Sequence, residues 1–548
     1  MDSRARELVS MGKRLFSQKS HWDSLNQEIA EHFYPMRADF TSPFTLGTDF
    51  STNLMESYPV MARETLGNSI NAMLRQGDWF AVQTGLSEID DEPENARWLE
   101  YASTHHKRLI YDRRANFVRA TSEADHDYVT FGNPVLSVEE SPDRSHMLFR
   151  SWHPKSCAWM ENAVGKIDHV QRDMPTSARN IMARKAWADK AHSNIKQAMT
   201  SDPAKAFKIH HIVLPFDEIY GDDRKKRRQY AGADYCSLYV DCEHDIILSE
   251  APLHVFNYVI PRWRTVSGFA QGFSPATINA LPDGRMLQSL ARIILEQGEK
   301  AVDPAIVARG EIFRDAVNLY AGGMTYVDID GDMAIRDAMQ EVGTSSNMQI
   351  GLEMKADVRN LIAESFLLNK LMLPSARDMT AFETQARLDE FRRAALPFFG
   401  PIESEYHLPL LDVSFQMALR ADAFDLREMP KALADADVTF TFESPLNTAE
   451  GRKDVQAFQE SVQILAASAQ FDKNIVTTMD FKQMTKDAMK GTGAKADWFA
   501  DEEVQLEEEE KLAQVDRLAS AAAALREGAG VAGDVAGATQ QLQAAGML

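Results

Sequence analysis

The sequence predicts an α+β protein that is mainly helical, and three observations carry that expectation. Apolar residues recur at helical spacing through Met286, Leu287, Leu290, Ile293 and Ile294. They do so again through Met354, Val358, Leu361 and Ile362. Between Gly132 and about Tyr258 the pattern changes to short β-branched and aromatic runs bounded by turn formers.

Taken in chain order, residues 1 to about 130 read as helices, with Trp22, Leu25, Ile29 and Phe33 on one face. A second helix is expected from Arg97 to Arg119, and a short strand at Asp78–Gln83. Strands follow at Val135–Val138, Met147–Arg150, Ile209–Val213, Tyr235–Val240 and Phe256–Val259, with a helical interruption from Thr176 to Ala191. The basic run Arg224-Lys225-Lys226-Arg227-Arg228 falls between two strands, after Gly221-Asp222-Asp223. It reads as a solvated hairpin tip, with a DNA or protein contact as the alternative.

Gly272-Phe273-Ser274-Pro275 begins a helix, because Ser274 can cap and Pro275 suits the first helical position. Pro282-Asp283 repeats that signal. The helix 283–302 should then be roughly 30 Å long and end at Asp303-Pro304. A mixed segment continues to about Gly343. Within it Asp328, Asp330 and Asp332 mimic a calcium loop, but Met333 and Met339 stand where that loop needs Gly and Glu. Asp330-Gly331 reads instead as a hairpin turn. A second long helix is expected over 345–370. A third helical region, from Thr380 to about Phe424, is interrupted by Pro397, Pro401 and Pro409. Val438–Phe442 alternates as a strand, and helices follow at Thr448–Ala469, near Asp480–Met489 and at Asp501–Leu525. The last of these carries Glu507 to Glu510, which reads either as a DNA-repelling guide or as a merely solvated face. Beyond Gly528 the tail is low in complexity.

Composition narrows the function. The 548 residues suggest about three or four domains by length alone. No run of 18 apolar residues suggests a membrane span, and the N-terminus lacks an apolar signal core, so manufacture and use in a cytoplasm are expected. Cys157, Cys236 and Cys242 have no C-x-x-C spacing and read as buried free thiols. The net charge of −22 argues against a general DNA binder but does not exclude a conduit, since a wall that lets a polyanion slide must not grip it.

Catalytic signatures are missing. There is no phosphate loop, H-E-x-x-H, G-x-S-x-G or G-x-G-x-x-G pattern. His105-His106 and His210-His211 are adjacent pairs whose side chains face apart, so neither is a natural metal clamp. No catalytic, cofactor or metal residue is assigned.

Four segments resemble one family, the portal (head-to-tail connector) proteins of short-tailed bacteriophages. They are Gly272-Phe273-Ser274-Pro275 with Ala280-Leu281-Pro282-Asp283; Thr380-Ala381-Phe382-Glu383 with Gly400-Pro401 and Pro409-Leu410-Leu411; Phe442-Glu443-Ser444-Pro445-Leu446; and Phe131-Gly132-Asn133-Pro134. Thr380 and Glu383 also form a capping box. The likeness spans about residues 1–490; the C-terminal tail has none, and Asn447-Thr448-Ala449 departs from the family's "A-R-A".

The resemblance implies an elongated subunit in a ring, usually of twelve copies, at one capsid vertex of the virion. It implies an N-terminal α+β wing (1–270), stem helices (271–302 and 345–370), a small mixed clip (303–344) and a channel loop (371–379). A helical second part of the wing (380–495) and a helical crown with tail (496–548) complete it. It implies double-stranded DNA in the channel, and terminase, a tail adaptor, the major capsid protein and scaffolding protein as partners, with no membrane and no cofactor. By position Lys370 and Arg377 would form basic belts in the channel; the alternative is that Arg377 pairs with Asp378 or Glu383. Leu290, Ile294, Val358, Leu361 and Ile362 would pack the stem against neighbouring copies. The competing readings are a nucleic-acid-processing enzyme of the packaging machinery and another capsid or tail structural protein. A terminase is disfavoured by the missing phosphate loop.

Overall fold

The computed structural model describes residues 3–42, 54–302 (apart from positions 76, 91, 142 and 222), 306–308, 339–341, 348–368, 400–434, 438–442, 457–465, 480–491 and 511–515, with positions 47, 49–51, 455 and 517. The chain divides into two units: residues 1–79 with 105–424, and residues 80–104 with 425–548. The architecture is α+β, with many helices and antiparallel sheets.

The first unit is built on a five-stranded antiparallel meander. Its strands are Cys157–Glu161, Ile167–Ser177, Ala206–Pro215, Tyr235–Asp241 and Ile246–Leu253, each paired with the next. Period-two alternation sends their side chains to two faces. Ile212, Leu214, Cys236, Leu238 and Val240 face the helix Ser3–Gln18, where Ala5, Leu8 and Val9 are buried. Phe207 and Ile209 face the other way, against the short helices between Ala178 and Ser201. Val170, Val213 and Trp159 share a cluster with Val135 and Tyr258 of a three-stranded sheet ordered Met147–Trp152, Val135–Glu140, Tyr258–Val259. The adjacent histidines part as alternation requires: His211 hydrogen-bonds Tyr258 and Ser237, while the His210 ring lies 5.6 Å from Phe16.

Behind that sheet the helix Phe117–Phe131 presents a row of three polar residues to three arginines. Asp125 pairs with Arg75, His126 with Arg63 at 3.0 Å, and Asp127 with Arg37 at 2.8 Å. Arg63 donates, so His126 Nδ1 accepts and the ring is neutral; burial and the Arg63 charge both lower its basicity. The three arginines come from the helix Tyr58–Leu74, the residue after it, and the turn Pro35–Arg37. The row therefore ties two segments, the turn at Arg37 and the helix Tyr58–Leu74 with its C-terminal cap, to one helix.

Several expectations need correction. The helix expected over 97–119 is two helices, Pro93–Ile110 and Phe117–Phe131. Asn116 separates them in the left-handed region (φ 57°), which its short polar side chain tolerates. The basic run is not an irregular loop: Arg224–Gln229 is a short helix, because Asp223 accepts from the amides of Lys225 and Lys226. The strands Cys157–Glu161, Ile167–Ser177 and Ile246–Leu253 escaped the reading because they carry polar residues, several of them buried, such as His169, Gln171 and Arg172. The three thiols are free; Cys157 and Cys236 are buried and Cys242 is half-buried. Ser274 caps as expected, accepting from the Thr277 amide at 3.1 Å.

Pro282-Asp283 does not start a new helix. A π-helical turn, Ala276–Ala280, runs directly into the helix Leu281–Val302. The same device precedes Pro409, where the π turn Glu403–His407 leads into the helix Leu408–Arg420. Proline lacks an N–H and crowds the preceding turn, and a wider turn relieves both problems. The helix expected over 345–370 is described as Met348–Ser365; Leu367 follows in the left-handed region. Ile306–Ala308 pairs antiparallel with Met339–Glu341, so the segment between the two long helices returns to its own start. The turn at Asp330-Gly331, the capping box at Thr380, the acidic run at Glu507 and the tail lie outside the described residues.

In the second unit, Phe80–Gln83 pairs antiparallel with Thr439–Phe442, as the alternation of both segments implies. Ser103, on the helix Pro93–Ile110, accepts from the Val82 amide at 2.8 Å. Trp98 and Tyr101 of that helix hydrogen-bond the backbone of Asp425. Residues 457–465 and Phe481–Gly491 are helical.

Two glycines of the first unit meet back to back. A Cβ on Gly132 would lie 2.5 Å from the Gly272 carbonyl oxygen, and Gly132 has φ +81°. Gly232 has a similar φ, +75°, with nothing within 4 Å of its would-be Cβ. Both substitutions to Ala carry left-handed strain of about 1–3 kcal/mol. Only Gly132→Ala adds a backbone clash. Thermal melts of the two variants should therefore differ, with Gly132→Ala several degrees lower; equal melting temperatures would show that the close approach is not needed.

Candidate functional site

The sequence motifs converge at the base of the two long helices. Asn133 Oδ1 accepts from the Gly272 amide at 2.6 Å, and its Nδ2 donates to the Pro261 carbonyl at 3.0 Å. Ser274 Oγ donates to the Thr130 carbonyl at 2.7 Å. Phe131-Gly132-Asn133 and Gly272-Phe273-Ser274, which are 141 positions apart in sequence, thus form one interlocked corner. Small residues are required here because the backbones touch. The corner fixes where the π turn and the helix Leu281–Val302 leave the body of the unit.

The helix Leu281–Val302 spans about 33 Å and Met348–Ser365 about 27 Å at 1.5 Å per residue. Ile294 lies over Gly351, where a Cβ would come within 3.4 Å of its side chain. At the other end of the pair, Phe33 lies between Gly284 and Phe366. The two helices are therefore antiparallel. A polar clamp holds their base. Gln288 Oε1 accepts from the amides of Met55 and Glu56, and its Nε2 donates to the Glu56 carbonyl. The Glu56 carboxylate accepts from Lys355 and Arg359, each at 2.6 Å. Glu28 accepts from Arg285 at 2.6 and 2.7 Å.

Burial alone would raise the Glu56 carboxyl, but the hydrogen bonds and charges of Lys355 and Arg359 outweigh it and hold it below the ordinary carboxylate value. The hydrogen bonds from Arg285 likewise lower Glu28.

The pair also leaves large apolar side chains uncovered within the subunit, interspersed with charged ones. Ile293, Leu295, Ile350, Leu352, Met354 and Leu361 are 42–55% exposed. The residues expected to pack between copies separate into three groups. Val358 and Ile362 are buried inside the subunit. Leu290 and Ile294 are half-buried, Ile294 on the facing helix. Leu361 is 50% exposed and lines an open groove of about 590 Å³ with Ile278, Trp263 and Arg264. Lys370 and Arg377 lie outside the described residues. Sequence reading missed Glu56 and Gln288, because nothing in a single sequence links positions 232 apart. Among the described residues no cluster of three or more His, Cys, Asp or Glu could hold a metal, and no helix is long and apolar enough to cross a membrane.

A depressed carboxylate contributes stability above its unfolded value, about 4.5 for Glu56, and that stability is lost as pH falls through the lower folded value. Hydrogen exchange in Met348–Ser365, corrected for the intrinsic amide rate at each pH, should become faster on acidification through this range. Glu56→Gln should accelerate it already at neutral pH, by about 1–3 kcal/mol of opening free energy. Unchanged protection in Glu56→Gln would remove the clamp from the argument.

The chain matches the family described as bacteriophage head to tail connecting protein over residues 5–499. It is similar to the probable portal protein of Bordetella phage BPP-1, with 22% identity over 459 residues, covering 81% of this chain and 79% of that one. It is similar to the portal protein of Salmonella phage epsilon15, with 20% identity over 490 residues, covering 87% and 85%. A chain in the solved virion of a native gene transfer agent particle aligns with 82% of this chain and 99% of its own, at 11% identity and a TM-score of 0.33, too low to carry a structural argument. With the family match covering nearly the whole length, the chain belongs to the bacteriophage head to tail connecting proteins.

Proposed function

We propose that this connector is the portal of its virus: a closed ring of copies of the chain at one capsid vertex, twelve in the pattern the resemblance implies, through which DNA is packaged and ejected. The observation that supports the reading is the uncovered apolar surface of the two-helix segment. Apolar area left in water costs about 25 cal/mol per Å². Copies set side by side about an axis would cover it, as obligate interfaces do. Residues 271–302 and 345–370 are then the stem and 303–344 the clip. Residues 371–379 are the channel loop, 1–270 and 380–495 the wing, and 496–548 the crown.

In this reading terminase docks on the ring during packaging and a tail adaptor replaces it. Major capsid and scaffolding proteins surround it, and assembly takes place in the host bacterial cytoplasm. The part is mechanical, with no catalytic step and no cofactor. The net charge of −22 is compatible with a wall that does not grip DNA. Lys370 and Arg377, repeated around the ring, supply a few belts that hold DNA transiently. If they do, filled heads carrying Arg377→Ala should leak DNA increasingly as salt rises, because phosphate contacts weaken with salt. Normal retention at every salt concentration would leave Arg377 an ordinary residue paired with Asp378 or Glu383.

The burial pattern separates ring formation from folding. Leu361→Asp and Ile293→Asp change exposed positions and should leave the subunit folded while sedimentation shows monomers or broken rings. Ile362→Asp places a carboxylate at a fully buried position and should unfold the segment, at a cost of several kcal/mol, about the penalty for burying an unpaired polar group. Intact rings from both exposed-site variants would reject the stem assignment.

A further inference from the structure

The basic tip Arg224–Gln229 takes no part in the two-helix segment. It lies between the strands Ala206–Pro215 and Tyr235–Asp241 of the five-stranded sheet. Two of its five cations are engaged locally. The Lys226 ammonium sits 5.3 and 5.4 Å from the ring centres of Tyr220 and Tyr230. Arg227 pairs with Asp217 at 3.6 Å and lies over Phe216. Arg224, Lys225 and Arg228 are exposed, and no ion pair involves them among the described residues. Arg224 and Arg228 are four apart and share a helix face, about 6 Å apart along the axis, with Lys225 beside them.

We propose that this tip is a contact for the phosphate backbone of double-stranded DNA, separate from the channel. Each DNA strand offers a phosphate about every 3.4 Å along the axis, so the three free cations can meet two or three phosphates without reading sequence. An acidic protein partner fits less well. Protein interfaces carry an apolar or aromatic centre, and among the described residues no large hydrophobic side chain is exposed between Met199 and Val266. Backbone contact with a polyanion needs no such centre. The net charge of −22 does not forbid it, since charges more than about 10 Å away are largely screened at 0.1 M salt. The proposal does not rest on the ring, because a single copy presents the whole tip.

The test is binding of a short random-sequence DNA duplex to the purified full-length protein, followed by fluorescence anisotropy against salt. Three phosphate contacts predict a log–log slope of about −2.7, which is roughly a 40-fold loss of affinity between 50 and 200 mM salt. The neutral variant Arg224→Gln/Lys225→Gln/Arg228→Gln should fold normally, lose at least about tenfold in affinity at low salt, and flatten the slope. The charge-reversed variant, with Glu at the same three positions, should not bind. No duplex binding by the natural protein at low salt, or equal binding by the neutral variant, would overturn the proposal. Competition by poly-glutamate as effective as competition by unlabelled duplex would also overturn it, in favour of an acidic protein partner.

Discussion

The contact on which the rest depends is the meeting of Gly132 with Gly272. Two backbones approach so closely that neither tolerates a Cβ. The Asn133 and Ser274 side chains then satisfy the Gly272 amide and the Thr130 carbonyl brought together there. Buried backbone polar groups must find partners, so this corner has few alternative arrangements. It joins the end of the helix Phe117–Phe131 to the start of the helical stretch from Ala276. The same helix is held from behind by Arg37, Arg63 and Arg75. The exit direction of Leu281–Val302 is thereby set by polar geometry and close packing together.

The helix pair beyond that corner divides its surface by chemistry. Its base is clamped by polar groups, with Gln288 on the backbone of Met55 and Glu56, and Lys355 and Arg359 on the Glu56 carboxylate. Leu287, Val358 and Ile362 face into the subunit, whereas Ile293, Leu295, Ile350, Leu352 and Leu361 are left facing outward. A soluble monomer rarely leaves so much apolar surface together on one segment. In the proposed ring, neighbouring copies of the chain would cover that surface.

Much of this was legible in the sequence, for identifiable reasons. The long helices were visible because their apolar stripes repeat at 3.6 residues, and Ser274 because capping is a local event. The strand Thr439–Phe442 was visible from its alternation, although its paired residues in Phe80–Gln83 are 356 to 362 positions away. The strand Ile167–Ser177 was not visible. Its buried positions, on both faces, include His169, Gln171 and Arg172, which only tertiary packing makes acceptable in a core. The continuity through Pro282 was also hidden, because proline signals a helix start and the π turn that accommodates it has no sequence signature. The clamp on Glu56 was hidden because salt bridges between distant segments leave no local pattern. The separation of Leu361 from Ile362 needed coordinates, since one residue of rotation decides which faces the core.

The central claim is that the two-helix segment exists to be covered by other copies of the same chain. Electron micrographs of the purified full-length protein, viewed end-on, test it most directly. Closed rings with a central hole are predicted. Compact monomers at every protein concentration would contradict it.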